Sequence, residues 1–267
     1  LANMGFYNTM SAFAPISDNS HSIAIKSALS EETIANTNEL KKTGLRNLAS
    51  SRNFMIVASS LTALTLLSTF IVHSKIELIN LSKPLVITGI LLGAVLPFIL
   101  SSTILSSITR ITKKMVTETK RQFTDIPVLA EAKEVLDKYR GDLTYATEGE
   151  KEIVYGAIDD VDNNQLVEVS TYSTIYETII PGGILILLTV ILGYFTGIEI
   201  LSGFLTGLVS ASILVSLFMS NSGSSWESTK MAFEEGVKIN GEEQGTGSVG
   251  HQSSIVADKA GKPMKDA

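Results

Sequence analysis

Residues 84–109 read PLVITGILLGAVLPFILSSTILSSIT and contain no charged side chain. Three further stretches share this property: 54–72, 178–198 and 200–225. A helix needs about 20 mostly apolar residues to cross the hydrocarbon layer of a bilayer, and each stretch has about that length or more. The sequence therefore predicts four membrane-spanning helices.

The composition favours the same interpretation over a soluble protein. A helix in the core of a large soluble protein can also be apolar on every side. Here, however, 45% of the 267 residues are apolar and 18% are charged, and polar segments separate the apolar stretches. We predict an all-α, polytopic transmembrane bundle, with spans at approximately 53–73, 84–109, 178–198 and 200–221.

Charge and cysteine content exclude several classes of function. The chain has no cysteine, which excludes a disulfide framework and a thiolate metal site or nucleophile. Its formal net charge of −6 argues against a nucleic-acid partner, which normally requires a clustered basic face. The residues His21, His73 and His251 lack metal-ligand spacing and are interpreted as surface or loop histidines.

Basic residues predict the orientation of the spans, because Lys and Arg in short loops favour the cytoplasmic side. They flank the first pair of spans at both ends, and Lys230 and Lys238 follow the fourth span. We therefore expect segments 14–52, 110–177 and 222–267 to be cytoplasmic, with helices of the bundle extending into them. We interpret 1–267 as a single membrane domain, and as a fragment of a larger bundle because it starts without Met.

Two local patterns predict packing and loop structure. Gly203 and Gly207 have the small-xxx-small spacing that lets membrane helices approach closely. The polar tract 141–164 includes Asp159, Asp160 and Asp162, but it lacks the glycine and closing glutamate of an EF-hand at the required offsets. A solvated loop is the preferred interpretation of this tract.

Four sequence blocks carry a resemblance to a known family. They are PISDN at 15–19, LGAVLPFILSS at 92–102 leading into ETKRQF at 118–123, IPGG at 180–183 leading into TGIEILSG at 196–203, and SNSGSSW at 220–226 followed by Lys230. In order and spacing they resemble the carboxy-terminal third of the membrane-integral pyrophosphatases, which are ion pumps driven by pyrophosphate hydrolysis. The resemblance covers nearly the whole chain.

The resemblance implies a polar funnel at the cytoplasmic face, where pyrophosphate binds together with Mg²⁺. Such a polyanion needs cations to neutralise it, and Mg²⁺ prefers hard oxygen ligands. Asp18 and Glu227 are implied as metal ligands, and Lys230 and Lys265 as phosphate contacts. Asp266 is implied to position the attacking water. K⁺ or Na⁺ as a further cofactor and a homodimer are also implied.

Some positions depart from the family pattern or have a simpler interpretation. Lys262 stands where the family has a metal-binding Asp, and Leu45 where it has a polar Asn. Glu227 is one methylene longer than the usual Asp. The alternative role of Asp18 is a helix N-cap, and that of Lys230 is a solvated lysine.

The leading hypothesis is a pyrophosphate-energised pump for H⁺ or Na⁺, whose partners are pyrophosphate, the lipid bilayer, and either a second copy or missing amino-terminal helices. One alternative is a catalytically degenerate membrane protein that acts as a structural or regulatory subunit. Another is an unrelated secondary transporter, which would place ionisable residues in mid-membrane. The predicted spans contain no ionisable residue in mid-membrane, which makes the secondary transporter the less favoured alternative.

Overall fold

The computed structural model describes residues 2–27, 29–139, 141 and 143–266, without the side chains of residues 2–4, 26 and 266. Its helices are α1 (Ala2–Lys26), α2 (Glu31–His73), α3 (Pro84–Asp125), α4 (Pro127–Lys138), α5 (Glu148–Gly156), α6 (Asn163–Thr196), α7 (Ile198–Glu235) and α8 (Val249–Asp266). Short 3-10 helices cover Leu143–Tyr145 and Ala157–Asp160. An antiparallel hairpin of β1 (Val237–Ile239) and β2 (Glu242–Gln244) joins α7 to α8. The predicted all-α fold is confirmed, and the small hairpin is an addition to it.

In the described part of the chain, four helices are long and apolar enough to cross a membrane: α2, α3, α6 and α7. They correspond to the four predicted spans, and each is longer than its span. Helix α2 begins after Ser30, whose hydroxyl accepts a hydrogen bond from the Thr33 N–H at 3.3 Å. Helix α3 ends at Asp125, because Pro127 disfavours helical backbone in the residue before it.

The first of two compact units contains residues 1–99 and 189–267. In this unit α1 packs on α2, α2 on α7, and α7 on α8. Glycines let α3 and α7 approach closely, since a Cβ atom on Gly89 would overlap the carbonyl oxygen of Ile200 and one on Gly207 that of Ile90. The predicted role of Gly207 in close packing is thereby confirmed.

The second unit contains residues 100–188 and corrects one prediction. The tract 141–164 is not a loop throughout, because it contains α5 and two 3-10 helices. Thr147 and Glu150 form a capping box that starts α5. A core of Leu129, Ala132 and Ala157, each 2% exposed, then fixes the tract against α4. Turn and cap chemistry together with this small core produce helices that the polar composition did not indicate.

Candidate functional site

Among the side chains of α8 that the structure describes, three buried ionisable ones lie on one face. They are His251, Asp258 and Lys265, which are 7%, 6% and 7% exposed. Residues seven apart lie nearly above one another on a helix, so all three face the same neighbour. That neighbour is α7, whose residues Glu227, Lys230 and Glu234 contact them in the opposite chain direction. We call these six residues the polar seam.

The first pair of the polar seam joins Lys265 to Glu227. The Lys265 ammonium lies 2.5 Å from Oε2 of Glu227, and only 1% of the lysine side chain is exposed. Gly223 allows this close approach, because a Cβ atom on it would lie 2.6 Å from the carbonyl oxygen of Gly261 and from Cβ of Lys265. The buried ammonium is therefore covered by a carboxylate of the same chain.

The second pair joins Lys230 to Asp258. The Lys230 ammonium donates to Oδ2 of Asp258 at 3.4 Å and lies 3.9 Å from Oε1 of Glu234. The other carboxylate oxygen of Asp258, Oδ1, is buried without a hydrogen-bond partner. Lys230 is thus shared between two carboxylates, with 26% of its side chain exposed, and its contact with phosphate stays a prediction.

The third pair joins His251 to Glu234, with Nε2 of the ring 4.0 Å from Oε1 of the carboxylate. The other ring nitrogen, Nδ1, accepts a hydrogen bond from the Gly247 N–H at 3.1 Å. His251 is buried and is not a surface histidine, which corrects the interpretation made from spacing alone.

Asp18 lies next to the polar seam, in the interior of α1. Its alternative role as an N-cap is therefore wrong, because α1 extends from Ala2 to Lys26. Its carboxylate pairs with Lys41 of α2 at 3.4 Å and with Lys262 of α8 at 3.9 Å. Lys262, the residue in place of a family Asp, thus contacts the carboxylate of Asp18, an expected metal ligand.

His21 links Asp18 to the polar seam. It is buried, again contrary to the expected surface position, and its Nδ1 lies 3.2 Å from Oγ1 of Thr37. Burial lowers the pKa of His21, and so does the positive charge of Lys41, while the carboxylates of Asp18 and Glu234 oppose them. Both carboxylates therefore act on the same imidazole ring.

The remaining predicted positions are placed as follows. Leu45 is buried in α2 and offers no polar atom, which is consistent with a packing role. Asp266 is the last residue of α8, and its side chain lies outside the described part of the chain. Sequence reasoning missed Glu234, His251 and Asp258. The signal that could have found the last two was their seven-residue spacing from each other and from Lys265.

Carboxylates are the right chemistry for Mg²⁺, but the described residues do not complete a site for it. Asp18 faces Lys41 and Lys262, and Glu227 faces Lys265, so lysine ammonium groups already neutralise both expected ligands. Among the side chains that the structure describes, no group of three acidic or histidine residues is arranged to hold a metal ion. By itself this segment therefore does not fit the metal.

Comparison with known proteins gives a consistent result. A family model for inorganic H⁺ pyrophosphatase matches residues 1–267. The chain is 30% identical over 270 residues to a K(+)-insensitive pyrophosphate-energized proton pump of Methanosarcina mazei. It is 30% identical over 266 residues to a putative K(+)-stimulated pyrophosphate-energized sodium pump of Clostridium tetani.

The alignments cover 97% to 100% of this chain but only part of each relative. Those two matches include 100% of the chain and 36% and 35% of the relatives. The chain is also 27% identical over 269 residues to a K(+)-stimulated pyrophosphate-energized sodium pump of Thermotoga maritima, and this alignment includes 33% of that relative. The chain therefore spans about a third of the length of the curated relatives that it matches.

Proposed function

The chain belongs to the inorganic H⁺ pyrophosphatase family, and from this we propose that it forms part of a membrane pump that couples pyrophosphate hydrolysis to transport of H⁺ or Na⁺. The observation that carries the proposal is the polar seam, which gathers two lysines and several carboxylates on α7 and α8. The family match over the whole chain supports it. The rest of the pump, which the curated relatives carry in the remaining two thirds of their length, would complete the site.

Lysine ammonium groups are the part of the site that this chain supplies to the substrate. Phosphate oxygens carry negative charge, so they would compete with Glu227 for Lys265 and with Asp258 for Lys230. Binding would then separate paired side chains of α7 and α8. Because α7 is also a membrane-spanning candidate, this gives a physical route from substrate binding to a shift in a spanning helix.

We propose Mg²⁺ as the partner of pyrophosphate, since hydrolysis of such a polyanion needs a divalent cation. Asp18 and Glu227 would contribute ligands only together with carboxylates of the complete protein. We also propose K⁺ as a cofactor, because two of the relatives are named K(+)-stimulated. A homodimer and a cytoplasmic substrate face are proposed from the family resemblance and the positive charges beside the spans.

A second candidate function is favoured by the same ion pairs. Asp18 and Glu227 are both neutralised by lysines of this chain, one of which is Lys262. Expected metal ligands that are already paired with lysines of the same chain suit a structural or regulatory subunit that has kept the packing and lost the hydrolysis. Hydrolysis by the complete protein decides between the two functions.

The test measures phosphate release from pyrophosphate, with and without Mg²⁺, in membranes that contain the complete protein. We expect hydrolysis by the wild type and its loss in Lys265→Met. The matched control is Lys259→Met, which removes an exposed lysine from the same helix and should keep the wild-type rate. A folded wild type without Mg²⁺-dependent hydrolysis would support the non-catalytic subunit and overturn the pump.

A further inference from the structure

The amino-terminal turn of α8 is fixed to the carboxy-terminal turn of α7 by an unusual set of contacts. A Cβ atom on Gly250 would lie 2.5 Å from Cε1 of Phe233, so the two helices are in close contact there. The Ser248 hydroxyl accepts a hydrogen bond from the His251 N–H at 3.2 Å. His251 therefore lies in the first turn of α8, next to the contact of Gly250 with Phe233 of α7.

The hydrogen bond from Gly247 determines how the His251 ring is protonated. Because Nδ1 accepts the Gly247 N–H at 3.1 Å, the proton of the neutral ring is on Nε2. That nitrogen is buried, has no hydrogen-bond partner and lies 4.0 Å from Oε1 of Glu234. The ring thus presents a donor to Glu234.

Glu234 lies between that donor and Lys230. Its Oε1 is 3.9 Å from the Lys230 ammonium, one helical turn back along α7. Lys230 in turn donates to Asp258 at 3.4 Å. The ionisable groups that face Glu234 are Lys230 of its own helix, His251 of α8 and His21 of α1.

These contacts make the position of Lys230 depend on His251. With His251 in place, Glu234 is drawn toward α8, and Lys230 keeps its contact with Asp258. Without the donor, Glu234 is free to form a full ion pair with Lys230 on the same helix face. The ammonium would then be held by Glu234 and would be less available to a phosphate oxygen.

We propose that His251, acting through Glu234, is a positioning residue that holds Lys230 ready to bind the phosphate groups of the substrate. The inference rests on the proposed function, because it assigns to Lys230 the task of contacting pyrophosphate. The inference adds His251 and Glu234 to the residues that support pyrophosphate binding, and neither side chain needs to contact the substrate.

Two substitutions separate the roles of the two ring nitrogens. In His251→Asn the side-chain oxygen can still accept the Gly247 N–H, but no donor reaches Glu234. In His251→Gln the longer amide can present its N–H group to Glu234. In the complete protein in membranes, we expect the Asn variant to raise the KM for pyrophosphate about threefold, with kcat within about twofold, because the contact that is lost spans 4.0 Å and is weaker than a full hydrogen bond. The Gln variant should keep both constants within about twofold of the wild type.

A second measurement does not depend on hydrolysis. Labelling of Lys230 by an amine-reactive reagent, followed by peptide mass spectrometry, reports how its ammonium is held. We expect His251→Asn to change the Lys230 labelling rate at least about threefold relative to Lys259 on the same molecule, and His251→Gln to leave the ratio unchanged.

The KM and the labelling ratio together distinguish failure of the positioning role from failure of the proposed function. Unchanged labelling and an unchanged KM in His251→Asn would overturn the positioning role while leaving the pump intact. Equal changes in the Asn and Gln variants, or a fall in kcat without a rise in KM, would also overturn it, since they indicate a merely structural histidine. A wild type that hydrolyses no pyrophosphate would overturn the proposed function, while the labelling ratio would still decide whether His251 positions Lys230.

Discussion

The two compact units satisfy their buried polar groups to different extents. In residues 100–188, Glu177 accepts hydrogen bonds from Ser107 and from two nitrogens of Arg110. Gln122, which is 2% exposed, donates to Glu118 and to the Asp162 carbonyl and accepts the Asp162 N–H. These polar groups link helices within the unit and leave little capacity for a ligand.

The polar seam in the other unit has the opposite character. Within the described residues, the buried side-chain atoms without a hydrogen-bond partner are His251 Nε2, Asp258 Oδ1 and Lys265 Nζ, all on α8. Of these three, Lys265 Nζ still has a close ion-pair partner in Oε2 of Glu227, so the unpartnered atoms are those of His251 and Asp258. A buried polar atom without a partner lowers stability, so a native protein retains it chiefly where a ligand or a conformational change uses it. The comparison thus contrasts hydrogen-bonded polar groups in one unit with incompletely hydrogen-bonded polar groups in the other, and the latter are the ones to which we assign a function.

The largest effect is expected in the polar seam. Lys265→Met leaves the Glu227 carboxylate mostly buried without its cation, and breaking a buried ion pair in this way costs about 3 kcal/mol. The double variant Glu227→Gln with Lys265→Met removes both charges and should regain most of that stability without regaining hydrolysis. Thermal unfolding in detergent and phosphate release measure the two properties.

The control for this prediction is Lys259→Met, which should change neither property. If the double variant recovered hydrolysis together with stability, the polar seam would be a structural feature, like the hydrogen bonds of Glu177 with Ser107 and Arg110. The two units would then no longer differ in the role of their polar groups.

An intermediate effect is expected from Gln122 in the second unit. Gln122→Leu leaves the Asp162 N–H and carbonyl without their partner, which should cost about 2 kcal/mol. Because Gln122 belongs to the unit with satisfied polar groups, the KM for pyrophosphate should stay unchanged in the molecules that remain folded. The exposed Asn164→Ala, two residues beyond Asp162, serves as the control for stability. A raised KM in Gln122→Leu would show that the second unit contributes to substrate binding.

The sequence predicted those features that depend on composition and local periodicity. The stretch 84–109 predicts a spanning helix because it lacks charge, and Gly207 predicts close packing because of its four-residue spacing from Gly203. Glu227 and Lys230 are three residues apart, so the helical period puts them on one face, and both contact α8 from α7. Such inferences need only one helix and its period.

Other features depend on how distant segments meet, which one helix does not determine. The pairing of Glu227 with Lys265 arises because a hairpin at 237–244 turns α8 back along α7. The burial of His21 requires α1 and α2 to meet side by side. The helix α5 depends on a core shared with α4. In each case tertiary contacts override what the local polarity indicates.

The smallest effect is expected at an exposed ion pair of the second unit. Hydrogen bonds from Lys138 and from the backbone and hydroxyl of Thr147 lower the pKa of Glu150 from 4.5 to about 2. Since the folded pKa is below the unfolded one, the stabilisation is present above about pH 4.5 and is lost as the pH falls toward 2. Hydrogen exchange of α5 amides should therefore accelerate between pH 4.5 and pH 2 more in the wild type than in Glu150→Gln, after correction for the intrinsic exchange rate. The exposed Glu152→Gln should retain the wild-type dependence. Because solvent screens the pair of Lys138 and Glu150, the faster exchange should be limited to amides of α4 and α5. Faster exchange in α7 and α8 over the same pH range would contradict the prediction, since the polar seam and not Glu150 would then respond to acid.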